Sequence, residues 1–201
     1  MKRYICALLI FAMLLCLLCG CGDTGDIPSD YKNTDFGLTS SGLEIQYYDD
    51  DGMPYTEERN QILYLTNIER QKANLPPLCG NDVSSSLAAF KRASESSQVF
   101  EHQRPNGDSW DTIINEIGIS DYIGVGENLA RMYDTPSEVV TAWMDSPDHK
   151  ENIMGNYTHM GVGVYKKDGV TYYTQIFVRY IQVDENGNEL EDLFGNEIKY
   201  N

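Results

Sequence analysis

The sequence predicts an α+β fold: an α-β-α sandwich in which a short antiparallel sheet is covered by helices on both faces. Three observations carry this expectation. After Tyr55 the apolar residues recur at helical spacing over much of the chain. From Met160 the period shortens to two, and Asp168-Gly169 marks a turn between strand-like runs at Met160 to Lys167 and Val170 to Val183. The second run is apolar on both faces, with Tyr172, Ile176, Val178 and Tyr180 on one and Tyr173, Phe177, Ile181 and Val183 on the other. A strand of that kind must be covered on both sides.

The chain has 201 residues, 41% hydrophobic and 23% charged, which is a globular composition of one domain plus appendages. Its formal charge of −16 makes nucleic acid a poor partner and would repel anionic lipid headgroups. The N-terminus nevertheless points to a membrane. Lys2 and Arg3 precede an apolar run from Ile5 to Leu18, the length of a secretory signal and short for a full span. The run ends in Leu18-Cys19-Gly20-Cys21, which resembles a bacterial lipobox with Cys21 as the lipidated residue. An ordinary cleaved signal and an uncleaved anchor are the competing readings. Cleavage before Cys21 removes two bases and no acid, taking the formal charge from −16 to −18. It also leaves Cys79 as the one unmodified cysteine, so the mature domain has no internal disulfide. Cys79 follows Leu75-Pro76-Pro77-Leu78 and reads as a small buried hydrophobe.

Residues 1–20 are thus expected to be a lipoprotein signal, and 21–42, rich in Asp, Ser, Thr and Gly, a solvated tether. Residues 43–183 form the domain, with its core at about 56–180. Within it, 43–55 suggest a short hairpin or edge segment. A first helix places Ile62, Leu65, Ile68 and Ala73 near one face, with Glu57, Glu58, Arg59, Arg70 and Lys72 as polar positions, and stops at Pro76-Pro77. A second starts at Asn81 or Asp82 and carries Val83, Leu87, Phe90 and Ala93 as its apolar stripe. Ser109, Trp110, Ile113, Ile114 and Ile117 suggest a third, shorter helix. Thr135-Pro136-Ser137-Glu138 joins a capping box to a proline at the first helical position, and starts a fourth. Ser146-Pro147-Asp148-His149 repeats the signal and puts His149 in the first turn of a fifth. Gly124-Val125-Gly126 follows no convincing strand. The tail, 184–201, repeats Gly187-Asn188-Glu189-Leu190 as Gly195-Asn196-Glu197-Ile198, which fits two hairpin turns better than a calcium loop.

No compact catalytic motif is present: no HExxH, no GxSxG, no P-loop. A spread constellation is. It comprises His102 in Phe100-Glu101-His102, Glu127 in Gly126-Glu127-Asn128-Leu129-Ala130, and His149 after Trp143-Met144-Asp145-Ser146-Pro147-Asp148. With Asn67-Ile68-Glu69-Arg70, Leu75-Pro76-Pro77-Leu78, Asn152-Ile153-Met154 and Gly161-Val162-Gly163, this ordered set resembles the CAP superfamily (cysteine-rich secretory proteins, antigen 5, pathogenesis-related 1). Within it, the chain looks like the bacterial SCP-like, or YkwD-like, branch.

The resemblance implies an α-β-α sandwich with a cavity lined by two His and two acids, in which some members bind Zn²⁺ through the two His. It makes His102 and His149 the candidate metal ligands and Glu127 the first acid. The family's second acid falls where this chain has Ser146, and Asp145 is its neighbour in the candidate cavity. Three functions follow. The first is an extracytoplasmic binding module on the outer face of the cytoplasmic membrane, tethered through Cys21, with a lipid, glycan, peptide or protein ligand and no obligate oligomer. The second is a zinc-assisted hydrolase with Glu127 as general base beside His102 and His149. The third is a structural envelope protein with a vestigial cavity. A purely structural account of the trio also stands: Glu127 capping a helix start, and His149 bracing Asp148 or a carbonyl. His159, at a turn before the hairpin, reads as solvent-exposed.

Overall fold

The computed structural model describes residues 54–80 and 82–181. The signal, Cys21, the tether, the hairpin expected within 43–53, Asn81, Val183 and the tail 184–201 lie outside the described residues.

Among the described residues, five helices and three strands follow in the order α1 (Thr56–Lys72), α2 (Val83–Ser96), α3 (Thr112–Ile117), β1 (Tyr122–Arg131), α4 (Pro136–Asp145), α5 (Pro147–Ile153), β2 (His159–Lys167) and β3 (Val170–Tyr180). The strands form one antiparallel sheet in the order β1-β3-β2. The two faces of β3 feed two separate cores, as its doubly apolar pattern requires. Tyr173 and Phe177 join Ile62, Leu63, Val139, Trp143 and Ile153 of α1, α4 and α5. Ile176 and Val178 join Ala88, Ala89, Ile113 and Ile114 of α2 and α3. Helices therefore cover both faces of a short sheet, the expected α+β sandwich.

Several expectations need correction. The buried side of α1 is Arg59, Ile62, Leu63, Thr66, Asn67 and Arg70, so two arginines assigned to the polar face lie in the interior. Each is buried because it serves backbone carbonyls: Arg59 Nε donates to Val162 O, and Arg70 donates to Pro76 O, Ile153 O and Gly155 O. In α2 the first half of the expected apolar stripe faces outward, with Val83 57% and Leu87 38% exposed, while Ala93 is buried as expected. The inward face is Ser85, Ser86, Ala88, Ala89, Arg92 and Ala93. Small residues win here because α2 lies directly on β2. A Cβ on Gly161 would come within 2.0 Å of Ser85 O, and one on Gly163 within 2.1 Å of Ala89 O.

The strand β1 has no counterpart in the sequence reading, and it holds Gly124-Val125-Gly126 and Glu127. Glu127 therefore caps no helix. The free edge of β1 is sealed by side chains. The carbonyls of Val125, Glu127 and Leu129 accept from Tyr157 Oη, Asn152 Nδ2 and Trp143 Nε1. Alternate residues of an antiparallel strand turn their backbone groups to the same edge, so these three carbonyls face away from β3. His159 is buried as the first residue of β2, its ring edge-on to Tyr180 and its Nδ1 3.0 Å from Thr158 Oγ1. The expectation of an exposed turn residue fails because the strand begins one residue earlier and pairs His159 with Val178. Cys79 is free and buried, as expected.

Candidate functional site

The site gathers at the edge of β1. Glu127 projects from the α2 face of that strand, and its side chain is fully buried. A buried carboxylate needs donors on both oxygens, and Glu127 has them. Arg92 of α2 gives Nε to Oε1 at 2.7 Å and Nη2 to Oε2 at 3.4 Å, and His102 Nδ1 lies 2.7 Å from Oε2. His102 itself is at the surface, its side chain 58% exposed. It stands at the root of a tight turn that is closed by Trp110 N donating to His102 O and by the antiparallel bridge of Gln103 with Ser109. Gly107, at φ +91°, supplies the left-handed residue that the turn demands.

His149 arrives from the other side. The capping box of Thr135 with Glu138 starts α4, and Pro147 starts α5 one residue after Ser146. His149 falls in the first turn of α5, half-buried. Its carbonyl accepts from Asn128 Nδ2 at 3.0 Å, which locks α5 onto β1 next to Glu127. Asn128 also meets Gln175 Oε1 and Asn152 Nδ2, so the contact of α5 with β1 rests on an amide network.

The two imidazoles are tuned in opposite senses. The hydrogen bond that His102 gives to Glu127 raises its pKa, against burial and the charge of Arg92. Burial lowers that of His149; the charge of His102 lowers it further, while Asp148 opposes. With Nδ1 of His102 committed to Glu127, its Nε2 is left to a ligand.

Of the expected residues, His102 and Glu127 are in direct contact, and His149 meets the same strand through its carbonyl on Asn128. Asp145 ends α4, exposed, and among the described residues it makes no hydrogen bond to the trio. Sequence reasoning missed Arg92, which saturates Glu127, and Glu95 and Arg104 behind it. The signal was present: Arg92 falls on the helical stripe of Ser85, Ala88 and Ala89, where a charge means a buried partner. Among the described residues no group of three or more His, Cys, Asp or Glu is placed to hold a metal ion. Glu127 fits that pattern as an orienting carboxylate and not as a ligand.

Known proteins share this architecture. The family model for the cysteine-rich secretory protein family, CAP, matches residues 63–178, more than half of the chain. Over 120 residues the chain is 39% identical to the uncharacterised protein YkwD of Bacillus subtilis (strain 168), covering 59% of this chain and 46% of that one. It is 32% identical over 126 residues to the uncharacterised membrane protein YlbC of the same organism, covering 62% and 35%. The match thus spans under half the length of these curated relatives. Among solved structures, an extracellular protein with an SCP domain from Bacillus anthracis superposes with TM-score 0.57 at 27% identity, covering 65% of this chain and 44% of that one. An outer surface protein of Borrelia burgdorferi superposes with TM-score 0.56 at 22% identity, covering 62% and 93%, a likeness of fold. The residues, the sandwich and the family model agree, and the chain belongs to the CAP family, in its bacterial SCP-like, YkwD-related branch.

Proposed function

We propose that the protein is a binding module held on the outer face of the cytoplasmic membrane by lipidated Cys21, and that its ligand is taken at the cleft of His102, Glu127 and His149. The observation that carries this is the saturation of Glu127. Both carboxylate oxygens are engaged by Arg92 and His102 and the side chain is fully buried, so Glu127 is placed to orient an imidazole rather than to take a proton from water. A zinc hydrolase would need a general base and usually a third protein ligand, and the trio supplies neither. This favours capture over hydrolysis.

Two imidazoles with a carboxylate behind one of them suit a divalent ion. His102 through Nε2, and His149, would hold it, and the ion would offer a Lewis-acidic contact to an oxygen of the ligand. Glu127 keeps the ring of His102 turned outward, and Asn128 keeps α5 in register. The names of the neighbours favour an outside location: the Bacillus anthracis protein is described as extracellular and YlbC as a membrane protein. No helix among the described residues is long and apolar enough to cross a membrane.

Titration calorimetry of Zn²⁺ into the full chain in detergent tests the site. Saturable one-to-one binding with Kd at or below about 1 μM (roughly −8 kcal/mol) is expected, lost in the His102→Ala, His149→Ala double variant. Equal heats in both proteins would remove the metal from the proposal and leave lipid, glycan and protein ligands to be screened against the same pair.

A further inference from the structure

Behind the site runs a chain of alternating charges that the trio does not include. His102 meets Glu127, Glu127 meets Arg92, Arg92 Nη1 donates to Glu95 Oε2 at 2.9 Å, and Glu95 accepts from Arg104. Arg104 gives Nη2 to Glu95 Oε1 at 2.6 Å and, on its outer side, Nη2 to Glu116 Oε2 at 2.7 Å and Nη1 to Thr112 Oγ1 at 3.1 Å. Glu116 pairs in turn with Lys91 at the surface. Arg92 is fully buried, Arg104 nearly so, and Glu95 is the acid between them.

Resting on the binding site assigned above, we propose that Glu95 is the positioning residue for His102, bridging the guanidinium of Arg92, which orients Glu127, and that of Arg104, which is rooted in the turn after His102. On one side Arg92 orients Glu127 and also donates Nη2 to Glu101 O, the carbonyl just before His102. On the other side Arg104 lies two residues after His102, and its backbone closes the turn through Arg104 N to Asp108 O and Gly107 N to Arg104 O. His102 is therefore flanked in sequence by two anchors that both end on one carboxylate. Without the charge of Glu95, Arg92 keeps only Glu127 and Arg104 keeps only Glu116 on its outer side, and the two guanidiniums face each other with no acid between them, a cost that moving one of them outward relieves. Arg104 has the shorter path out and would carry the turn with it. The ring of His102 would then lose its fixed contact with Glu127. Arrays that orient a ligating imidazole in this way typically contribute about 10- to 100-fold to metal affinity.

The test is Glu95→Gln in the full chain, read at one pH on the ligand-free protein by long-range proton–nitrogen correlation of the imidazole rings. Native His102 shows a single tautomer protonated at Nδ1. Glu95→Gln gives a mixture at His102, while the rings of His149 and His159 keep their native signals. Glu116→Gln, which relieves only the outer side of Arg104, keeps the native His102 tautomer. Zn²⁺ affinity falls about 10-fold or more in Glu95→Gln. A native His102 spectrum in Glu95→Gln overturns the proposal, as does a change shared equally by all three histidines. If Glu95→Gln does not fold, Glu95→Asp takes its place: it keeps the charge but cannot span both guanidiniums, so a native tautomer there overturns the bridge. The spectra need no metal, so failure of zinc to bind leaves this result standing and is told apart from it.

Discussion

His159 shows how one residue ties packing to pH. It lies inside the domain with Thr158 Oγ1 at its Nδ1, Tyr180 edge-on against the ring, and the backbone of Cys79 bridged alongside. Asp82, the helix cap that accepts from Tyr180 Oη, is the acid that faces this cluster. Burial dominates and lowers the pKa of His159, with Asp82 opposing. A base with a depressed folded pKa binds its proton more readily when unfolded. The contribution is therefore fully present above the unfolded value of about 6.5 and is lost as pH falls through the folded one. His149 acts in the same sense, and His102, raised by Glu127, in the opposite one. The difference between the native chain and His159→Phe isolates the residue, since the aromatic packing on Tyr180 is kept. Denaturant unfolding followed from about pH 8 to about pH 5 is expected to show a flatter acid limb in His159→Phe. An identical limb in both proteins would show that His159 titrates alike folded and unfolded.

At the scale of the element, the contact of α2 with β2 decides what was readable. Gly161 and Gly163 line one face of β2, and each lies beneath a helix carbonyl, of Ser85 and of Ala89. The backbones approach too closely for any side chain. Gly161→Ala is expected to force α2 off the sheet at a cost of about 3 kcal/mol, the upper end for overpacking, read as a lowered urea midpoint. A change within about 0.5 kcal/mol would mean that the helix shifts freely. The same closeness hid the buried face of α2 from hydrophobic periodicity: Ser85, Ala88 and Ala89 carry little apolar weight, while Val83 and Leu87 carry much and lie outside. The strand β1 was hidden for a related reason. Gly124, Gly126, Glu127 and Asn128 are poor strand formers on propensity. They form a strand because Trp143, Asn152 and Tyr157 satisfy its free edge and Arg92 satisfies Glu127. By contrast the start of α4 was legible from Thr135, Pro136 and Glu138 alone, because a cap is a local interaction. The site was legible in its trio, through the ordered family pieces, and hidden in its supports, because a buried arginine looks like a surface one until its partner is known.

At the scale of the molecule, interior arginines take the role that disulfides play in small cross-linked domains. Among the described residues the one cysteine is free, yet distant segments are tied by guanidinium groups. Arg59 joins α1 to β2, and Arg92 joins α2 to β1. Arg70 reaches furthest, since from the last turn of α1 it holds Pro76 O at 2.8 Å, Ile153 O at 2.7 Å and Gly155 O at 2.8 Å. Those carbonyls belong to the connection after α1 and to the end of α5, the helix that carries His149. No acid pairs with Arg70 in these bonds, and burial lowers its pKa to about 10. The charge is thus solvated by backbone dipoles, and five donors in a planar fork are what allow one side chain to serve three acceptors. Arg70→Met removes the buried charge but takes the Arg70 donors from three carbonyls, of which Gly155 O keeps Tyr157 N, and the second effect is the larger, with a loss of about 3 kcal/mol expected in thermal unfolding. Arg70→Lys keeps the charge and cannot span the same acceptors, so it is expected to be no better than Arg70→Met. Recovery of native stability by Arg70→Lys would show that charge, and not the fork, holds α1 to α5. Because α5 positions His149, the same loss should loosen the site: hydrogen exchange at the amides of α5 would rise in both variants while that of α3, on the opposite face of the sheet, stays native.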